Sequence, residues 1–126
     1  GRVLATHDHV VVIASDPRLM PGHLLVIPKR HVEHLHDLSL EERAELFKVV
    51  ITLQQRILER FASGCDIRQH NRPFLPENDL KVDHLHVHLQ PREMEDELYQ
   101  KSQRFDRKVF APLPDGEIEE VRSKLF

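Results

Sequence analysis

Three histidines alternate with apolar residues in one short stretch of the sequence, His84-Leu85-His86-Val87-His88-Leu89-Gln90. This alternation is typical of a half-buried β-strand, because successive side chains of a strand point to opposite faces. The histidines would share one face, and the branched apolar residues would share the other. Imidazoles two positions apart on a strand lie roughly 7 Å apart, so three of them can surround one small anion or one metal ion. The stretch therefore predicts a chemical site on a strand.

Two kinds of chemistry fit these histidines. Neutral imidazoles can ligate zinc or another transition metal. However, Cys65 is the only cysteine, and Asp83 would point to the opposite face of the strand. Alternatively, one imidazole is a nucleophile toward phosphorus, and protonated His84 or His88, Arg92 and backbone N–H groups bind the phosphate oxygens. The residues favour phosphorus chemistry without a metal and leave zinc binding as the alternative.

Other parts of the chain must form the sheet that holds this strand. Apolar, β-branched runs predict two strands within residues 2–14, a third over 23–27 and a fourth over 65–69. Proline and glycine predict loops over 15–22 and 70–79. Hairpins explain such a strand order better than crossovers do, so we expect an antiparallel sheet.

A long amphipathic helix is predicted between the third and fourth strands. Ser39 followed by Glu42 forms a capping-box pattern at its start, and Ser63-Gly64 marks its end, where glycine can adopt a left-handed conformation. Three- and four-residue spacing predicts that one apolar stripe of the helix faces the core. The members of this stripe are Leu40, Ala44, Phe47, Val50, Ile51, Ile57, Leu58 and Phe61.

The sequence predicts a single α+β domain over residues 1–126. Its antiparallel sheet of about five strands would be covered on one face by the long helix. Residues 93–116 are polar and contain Pro112, Pro114 and Gly116, and the spacing in 117–126 indicates a short terminal helix. We therefore expect 93–126 to form a C-terminal extension or arm.

Composition limits the class of partner. A net charge of −3 and a pI near 6.4 argue against binding of a nucleic-acid polymer, which usually needs a strongly basic face. The sequence has neither a long apolar run nor a signal-peptide pattern, so we expect no membrane partner. A single cysteine agrees with a cytoplasmic location.

Two motifs in this sequence resemble those of the histidine triad family of nucleotide hydrolases and transferases. One is 84–90, and the other is Pro21-Gly22-His23-Leu24-Leu25-Val26-Ile27-Pro28-Lys29-Arg30-His31. The resemblance extends from the strand at 10–14 through the helix to Pro91-Arg92. It implies a small α+β domain, commonly a homodimer, that acts on a small nucleotide substrate without a cofactor and without a metal at the chemical step.

The resemblance also implies roles for four histidines. His86 would attack the α-phosphorus of a nucleotide, and water would cleave the resulting nucleotidyl-histidine to a nucleoside monophosphate. His88 would contact the phosphate oxygens and assist the leaving group. His84, paired with His23, would hold the proton network that orients His86.

Several activities are compatible with these roles. The implied substrates are dinucleoside polyphosphates such as diadenosine tetraphosphate, or adenosine phosphoramidates. The alternatives are a nucleotide-binding regulatory protein without turnover, and a nucleotidyltransferase or phosphorylase with the same fold.

Departures from the family motif indicate where substrate choice could lie. Gln90 replaces an apolar residue at the end of the motif. Many members carry Gly-Gln-Ser/Thr just before the histidine strand, whereas this chain has Asp79-Leu80-Lys81. The hydroxyl donor expected near the leaving group is thus missing. Lys81 would replace it electrostatically, which fits a more highly charged leaving group.

Three further residues are substrate-binding candidates through the resemblance. Asp16 would accept the ribose hydroxyls, with Ser15 beside it, and Asn71 would lie under the phosphate.

Overall fold

Five strands form one antiparallel sheet in the computed structural model, which describes residues 1–78 and 80–126. Asp79, in the segment that replaces Gly-Gln-Ser/Thr, lies outside the described residues. The strands are β1 (Val3–Thr6), β2 (Val10–Ala14), β3 (Leu24–Pro28), β4 (Gly64–Arg68) and β5 (Val87–Arg92). This sheet, together with one long helix, confirms the predicted α+β class.

The order of the strands in the sheet is β1-β2-β3-β5-β4. Hairpins join β1 to β2 and β2 to β3, as predicted. The expectation that hairpins explain the whole order is wrong for the second half, because β5 lies between β3 and β4 and pairs with both. The histidine-bearing strand is therefore flanked by a strand on each side.

Helix α1 spans Leu40–Arg60 and begins as predicted. The Ser39 hydroxyl accepts the Glu42 N–H over 3.1 Å, and the Glu42 carboxylate accepts the Ser39 N–H over 2.9 Å. The helix ends slightly earlier than the predicted end at Ser63-Gly64. The helix is capped at Phe61, and Gly64 opens β4 without adopting a positive φ.

The apolar stripe predicted for α1 is largely on the wrong face. Leu40, Phe47 and Ile51 are 79%, 51% and 62% exposed, and Ala44, Leu58 and Phe61 are exposed as well. The residues that α1 buries against the sheet are Leu46, Val49, Val50 and Ile57. The helix carries apolar residues on two faces, so periodicity alone could not tell which face the sheet covers.

The core lies between α1 and one face of the sheet. The sheet contributes Val10, Val12, Val26, Leu85, Val87 and Leu89 to it. The other face of the sheet is thereby left for the histidines.

After β5 the chain forms α2 (Glu97–Lys101), a 3-10 helix over Gln103–Lys108 and α3 (Glu117–Leu125). The last of these confirms the predicted short C-terminal helix. All residues from 104 to 126 are exposed. None of the helices over the described residues combines the length and the hydropathy that a membrane crossing needs.

Candidate active site

The histidine stretch is extended, and its two faces differ as predicted. Leu85, Val87 and Leu89 are 3%, 4% and 0% exposed in the core, whereas the three histidines are half-buried on the opposite face. Strand β5 itself begins only at Val87, later than the sequence indicated. The preceding residues contact the connector after β3 instead, where the Leu85 N–H donates to the Val32 carbonyl over 2.7 Å.

His86 is held in one tautomer by the backbone. Its Nδ1 lies 2.7 Å from the carbonyl oxygen of His84. A carbonyl oxygen only accepts hydrogen bonds, so Nδ1 must carry the hydrogen. In the neutral ring Nε2 then carries a lone pair, which is the requirement for a nucleophile.

His23 and His88 form the second constrained pair. The Leu19 N–H donates to His23 Nδ1 over 3.1 Å, so the hydrogen of neutral His23 lies on Nε2. That nitrogen is 2.8 Å from His88 Nδ1 and donates to it. Neutral His88 must then carry its own hydrogen on Nε2, from which it can donate to an oxygen in the site.

Burial keeps His88 neutral. Desolvation, followed by the nearby imidazoles of His86 and His23, lowers the pKa of His88 to about 3. Desolvation also lowers the pKa of His23. His88 is thus a neutral donor near pH 7, not the cation that the sequence suggested.

The pairing expected between His84 and His23 is wrong. His84 Nε2 lies 2.9 Å from the Pro28 carbonyl oxygen, and its Nδ1 lies 3.3 Å from His31 Nδ1. The register explains the difference, because antiparallel pairing places Leu25 opposite His88. His23 consequently lies near the carboxyl end of the triad, and His84 lies near the end of β3.

His70 is a site residue that the sequence reasoning left undecided. Its ring centroid lies 5.5 Å from that of His88, in the loop that follows β4. Desolvation, then Arg72 and Arg68, lower the pKa of His70. The sequence held no local signal for this contact, because it depends on the β4–β5 register, in which Arg68 pairs with His88 and His70 follows two positions later.

Two candidate cations are engaged by carboxylates. Arg92 donates to both oxygens of Asp96, over 2.7 and 2.8 Å, and to Asp66 over 2.7 Å. These carboxylates raise its pKa further. The prediction that Arg92 is a free phosphate donor is therefore wrong, since it links β5 to β4 and to α2.

Lys81 has a similar arrangement just before the triad. Its ammonium group pairs with Asp83 and donates to the Leu75 carbonyl over 2.6 Å. The charge expected near the leaving group is thus partly neutralised within its own loop. Sequence alone did not reveal either pairing, because the Arg92 pairing depends on the β4–β5 register and the Lys81 pairing depends on loop geometry.

Gln90 lies on the histidine face at the end of the motif. It is 3% exposed, and its side-chain Oε1 has no hydrogen-bond partner among the described residues. It follows the Leu24–Leu89 pair by one position, which places it beside His23. Gln90 therefore lies inside the protein at the site, not in solvent.

The remaining candidates lie around the site without contacting the triad. The Asn71 amide donates to His34 Nδ1 over 2.6 Å, which places it against the β3–α1 connector. The Ser15 hydroxyl donates to the Pro17 carbonyl over 2.9 Å. Asp16 is exposed beside it.

Metal ligation was the competing interpretation of the histidines. Across residues 1–78 and 80–126, no group of three His, Cys, Asp or Glu side chains is placed to hold a metal ion.

Comparisons with known proteins give one consistent result. The model of the HIT domain matches residues 1–95. A bis(5'-nucleosyl)-tetraphosphatase (asymmetrical) of Schizosaccharomyces pombe is 39% identical over 79 residues, which are 62% of this chain and 42% of that protein. A galactose-1-phosphate uridylyltransferase of Hypocrea jecorina is 31% identical over 94 residues, 71% of this chain and 24% of that protein. The chain thus spans less than half the length of either relative.

A solved structure agrees with these sequence matches. The crystal structure of a Hit-like protein from Bartonella henselae has a TM-score of 0.62 and 31% identity to this chain. The match covers 73% of this chain and 69% of that one.

Proposed function

Because this chain belongs to the histidine triad (HIT) family of nucleotide hydrolases and transferases, we propose that it hydrolyses nucleoside phosphate derivatives through a nucleotidyl adduct on His86. The observation that carries this proposal is the backbone hydrogen bond at His86 Nδ1, 2.7 Å from the His84 carbonyl. It leaves the Nε2 lone pair of His86 available on the open face of the sheet. The proposed substrates are dinucleoside polyphosphates or adenosine phosphoramidates.

The first step proposed is displacement at the α-phosphorus. The Nε2 lone pair of His86 forms an N–P bond while the bond to the leaving group breaks with its electron pair. His88 Nε2–H donates a hydrogen bond to the departing atom, which takes any proton it needs from solvent, and the hydrogen bond from His23 holds the His88 ring in the donor tautomer.

The second step proposed is hydrolysis of the adduct. A water oxygen attacks phosphorus and releases its proton to solvent, while His88 Nε2–H donates a hydrogen bond to a phosphate oxygen. The N–P bond breaks and its electron pair returns to His86. The products are the nucleoside monophosphate and the enzyme in its starting protonation state.

The face of the sheet next to the triad supports nucleoside binding. Val11 pairs with Ile27 and Ile13 with Leu25, and all four are half-buried on the histidine face. Cross-strand partners share a face, so these side chains form an apolar surface that suits a base. The exposed carboxylate of Asp16, with Ser15 beside it, is the proposed acceptor for the ribose hydroxyls.

A transferase is the second candidate, favoured by the match to the uridylyltransferase. The same adduct on His86 would then pass to a phosphate oxygen in place of water. Adding inorganic phosphate or a sugar 1-phosphate to the reaction distinguishes the two, because transfer yields a nucleoside diphosphate or a nucleotide sugar.

The test is product analysis with diadenosine tetraphosphate and adenosine phosphoramidate. We expect wild type to release AMP, His86→Asn to release almost none, and acid quenching to trap adenylylated protein only with His86 present. The control is His7→Asn, in the exposed β1–β2 turn. Nucleotide binding without AMP release or adduct would instead show a regulatory protein.

We also propose that the protein is a homodimer through α1. The exposed apolar face of this helix comprises Leu40, Ala44, Phe47, Ile51 and Leu58. Several large apolar side chains on one helix face are typical of a protein–protein interface.

A further inference from the structure

We propose that Arg68 and His70 bind the phosphate chain of the leaving group and thereby select dinucleoside polyphosphates over phosphoramidates. This inference rests on the proposed function, and it assigns two residues outside the two family motifs to substrate selection. The supporting observation is that β4 and the loop after it, on one side of the histidine strand, carry cationic side chains, whereas β2 and β3, on the other side, carry apolar ones.

The first step is the position of His70. The rings of His86 and His88 are 4.9 Å apart between centroids, and those of His88 and His70 are 5.5 Å apart. His88 is therefore a neighbour of both other rings, which places His70 close to the proposed nucleophile. His23 contacts His88 through the Nδ1 atom of His88, and His70 is a second neighbour of the same ring.

The second step is the position of Arg68. It is the partner of His88 across the β4–β5 pair, so both side chains lie on the histidine face. His70 follows Arg68 by two residues, and Arg72 lies two residues further on. Both arginines help to lower the pKa of His70, which shows that they act on the same small region.

The third step is the charge on this side of the site. Within the described part of the chain, neither Arg68 nor Arg72 lies within ion-pair distance of a carboxylate. Asp66 is the one acid on the histidine face of β4, and it is bound to Arg92 over 2.7 Å. The β4 side is therefore positively charged.

On the opposite side of the triad, strands β2 and β3 carry no charged side chain. The β2–β3 surface there consists of Val11, Ile13, Leu25 and Ile27. A nucleoside fits the apolar side and a phosphate chain fits the cationic side, with the α-phosphorus between them at His86 and His88. The leaving group is thus directed toward β4, where an amine would make no charge-assisted contact.

The experiment compares kcat/KM for diadenosine tetraphosphate and adenosine phosphoramidate in wild type, Arg68→Gln and His70→Gln. A charge-assisted hydrogen bond to phosphate corresponds to roughly a tenfold effect, so we expect the ratio of the two kcat/KM values to fall about tenfold in each variant. Arg107→Gln, in the exposed 3-10 helix over Gln103–Lys108, is the matched control. An unchanged ratio in both variants would overturn the inference.

A second measurement separates binding from folding and from chemistry. Inorganic tripolyphosphate should inhibit wild type competitively, and its inhibition constant should be about tenfold higher for Arg68→Gln. The two proteins should have the same melting temperature. Equal competition in folded variants would contradict the inference. If wild type releases no AMP from either substrate, the proposed function itself fails. If wild type releases AMP from both substrates but the ratio of the two kcat/KM values is the same in wild type and both variants, this inference alone fails.

Discussion

His23 donates a hydrogen bond to His88 over 2.8 Å, and this bond fixes the tautomer of both rings. The chain of donors begins at the Leu19 backbone N–H and ends at the free Nε2–H of His88. The β2–β3 loop thereby determines which nitrogen of His88 donates a hydrogen bond to the leaving group. Because His88 Nδ1 accepts this hydrogen bond, substitutions of His23 that keep a donor at this place should affect His88 less than substitutions that remove it.

The first prediction concerns His23. Replacing it by Phe removes the donor to His88, whereas Gln retains an N–H that can reach the same nitrogen. We expect kcat to fall about 10- to 100-fold in His23→Phe, with a smaller change in KM, because a donor oriented toward the leaving group contributes on this scale. Partial recovery of kcat in His23→Gln identifies the hydrogen bond as the cause. Equal losses in both variants would indicate a packing role only.

The second prediction concerns stability in acid. The pKa of His88 is lowered to about 3 by burial, so the unfolded chain binds a proton at this position below about pH 6.5 and the folded chain does not. The contribution of neutral His88 to the free energy of unfolding is therefore fully present above pH 6.5, and it is lost as the pH decreases toward 3. We expect a loss of roughly 1–2 kcal/mol from this group between pH 7 and pH 5.

Urea unfolding at pH 7 and pH 5 measures this loss. His88→Gln should show a smaller difference between the two pH values than wild type does. His7→Gln, which changes an exposed histidine, should show the wild-type difference. A His88→Gln variant with undiminished pH dependence would contradict the prediction.

The third prediction concerns Gln90. Its buried Oε1 lacks a partner among the described residues, and an unsatisfied buried polar group costs about 1–3 kcal/mol. Leu is similar in size and occupies the place that the family motif gives to an apolar residue. We expect Gln90→Leu to raise the free energy of unfolding by about 1 kcal/mol. Chemical denaturation measures this, and a destabilised variant would indicate that the amide is satisfied.

Sequence patterns predicted those features that depend on residues near each other in the chain. The alternation in 84–90 correctly placed Leu85 and Val87 in the core, and Ser39 with Glu42 correctly placed the start of α1. The position of β5 between β3 and β4 was not predictable in this way, because nothing local records which strands become neighbours.

The errors at the site have the same origin. His23 was paired with His84 because both belong to family motifs, whereas the β3–β5 register brings His23 to His88. Arg92 was expected to bind phosphate, and its pairing was missed because its partners, Asp66 and Asp96, lie on other elements. His70 was left undecided because its proximity to His88 depends on the pairing of β4 with β5.

The fourth prediction tests the capping box. Ser39 accepts the Glu42 N–H, and removing an N-cap side chain costs about 1 kcal/mol. We expect Ser39→Ala to lower the free energy of unfolding by about this amount. Ser102→Ala is the matched control, because Ser102 precedes the 3-10 helix over Gln103–Lys108 without any capping bond from its side chain. Comparable losses in both variants would argue against the capping contribution.

The fifth prediction tests the proposed homodimer. Ile51 is 62% exposed and Phe47 is 51% exposed on the face of α1 that the sheet does not cover. Because Ile51 is exposed, Ile51→Glu should leave the protomer folded. In a dimer the glutamate would be an unpaired buried charge, so we expect association to weaken by about 100-fold or more. Val121→Glu changes an exposed apolar residue of α3 in the same way and should leave association intact. Sedimentation of wild type, Ile51→Glu and Val121→Glu distinguishes the cases, and a wild-type monomer at tens of micromolar would refute the dimer.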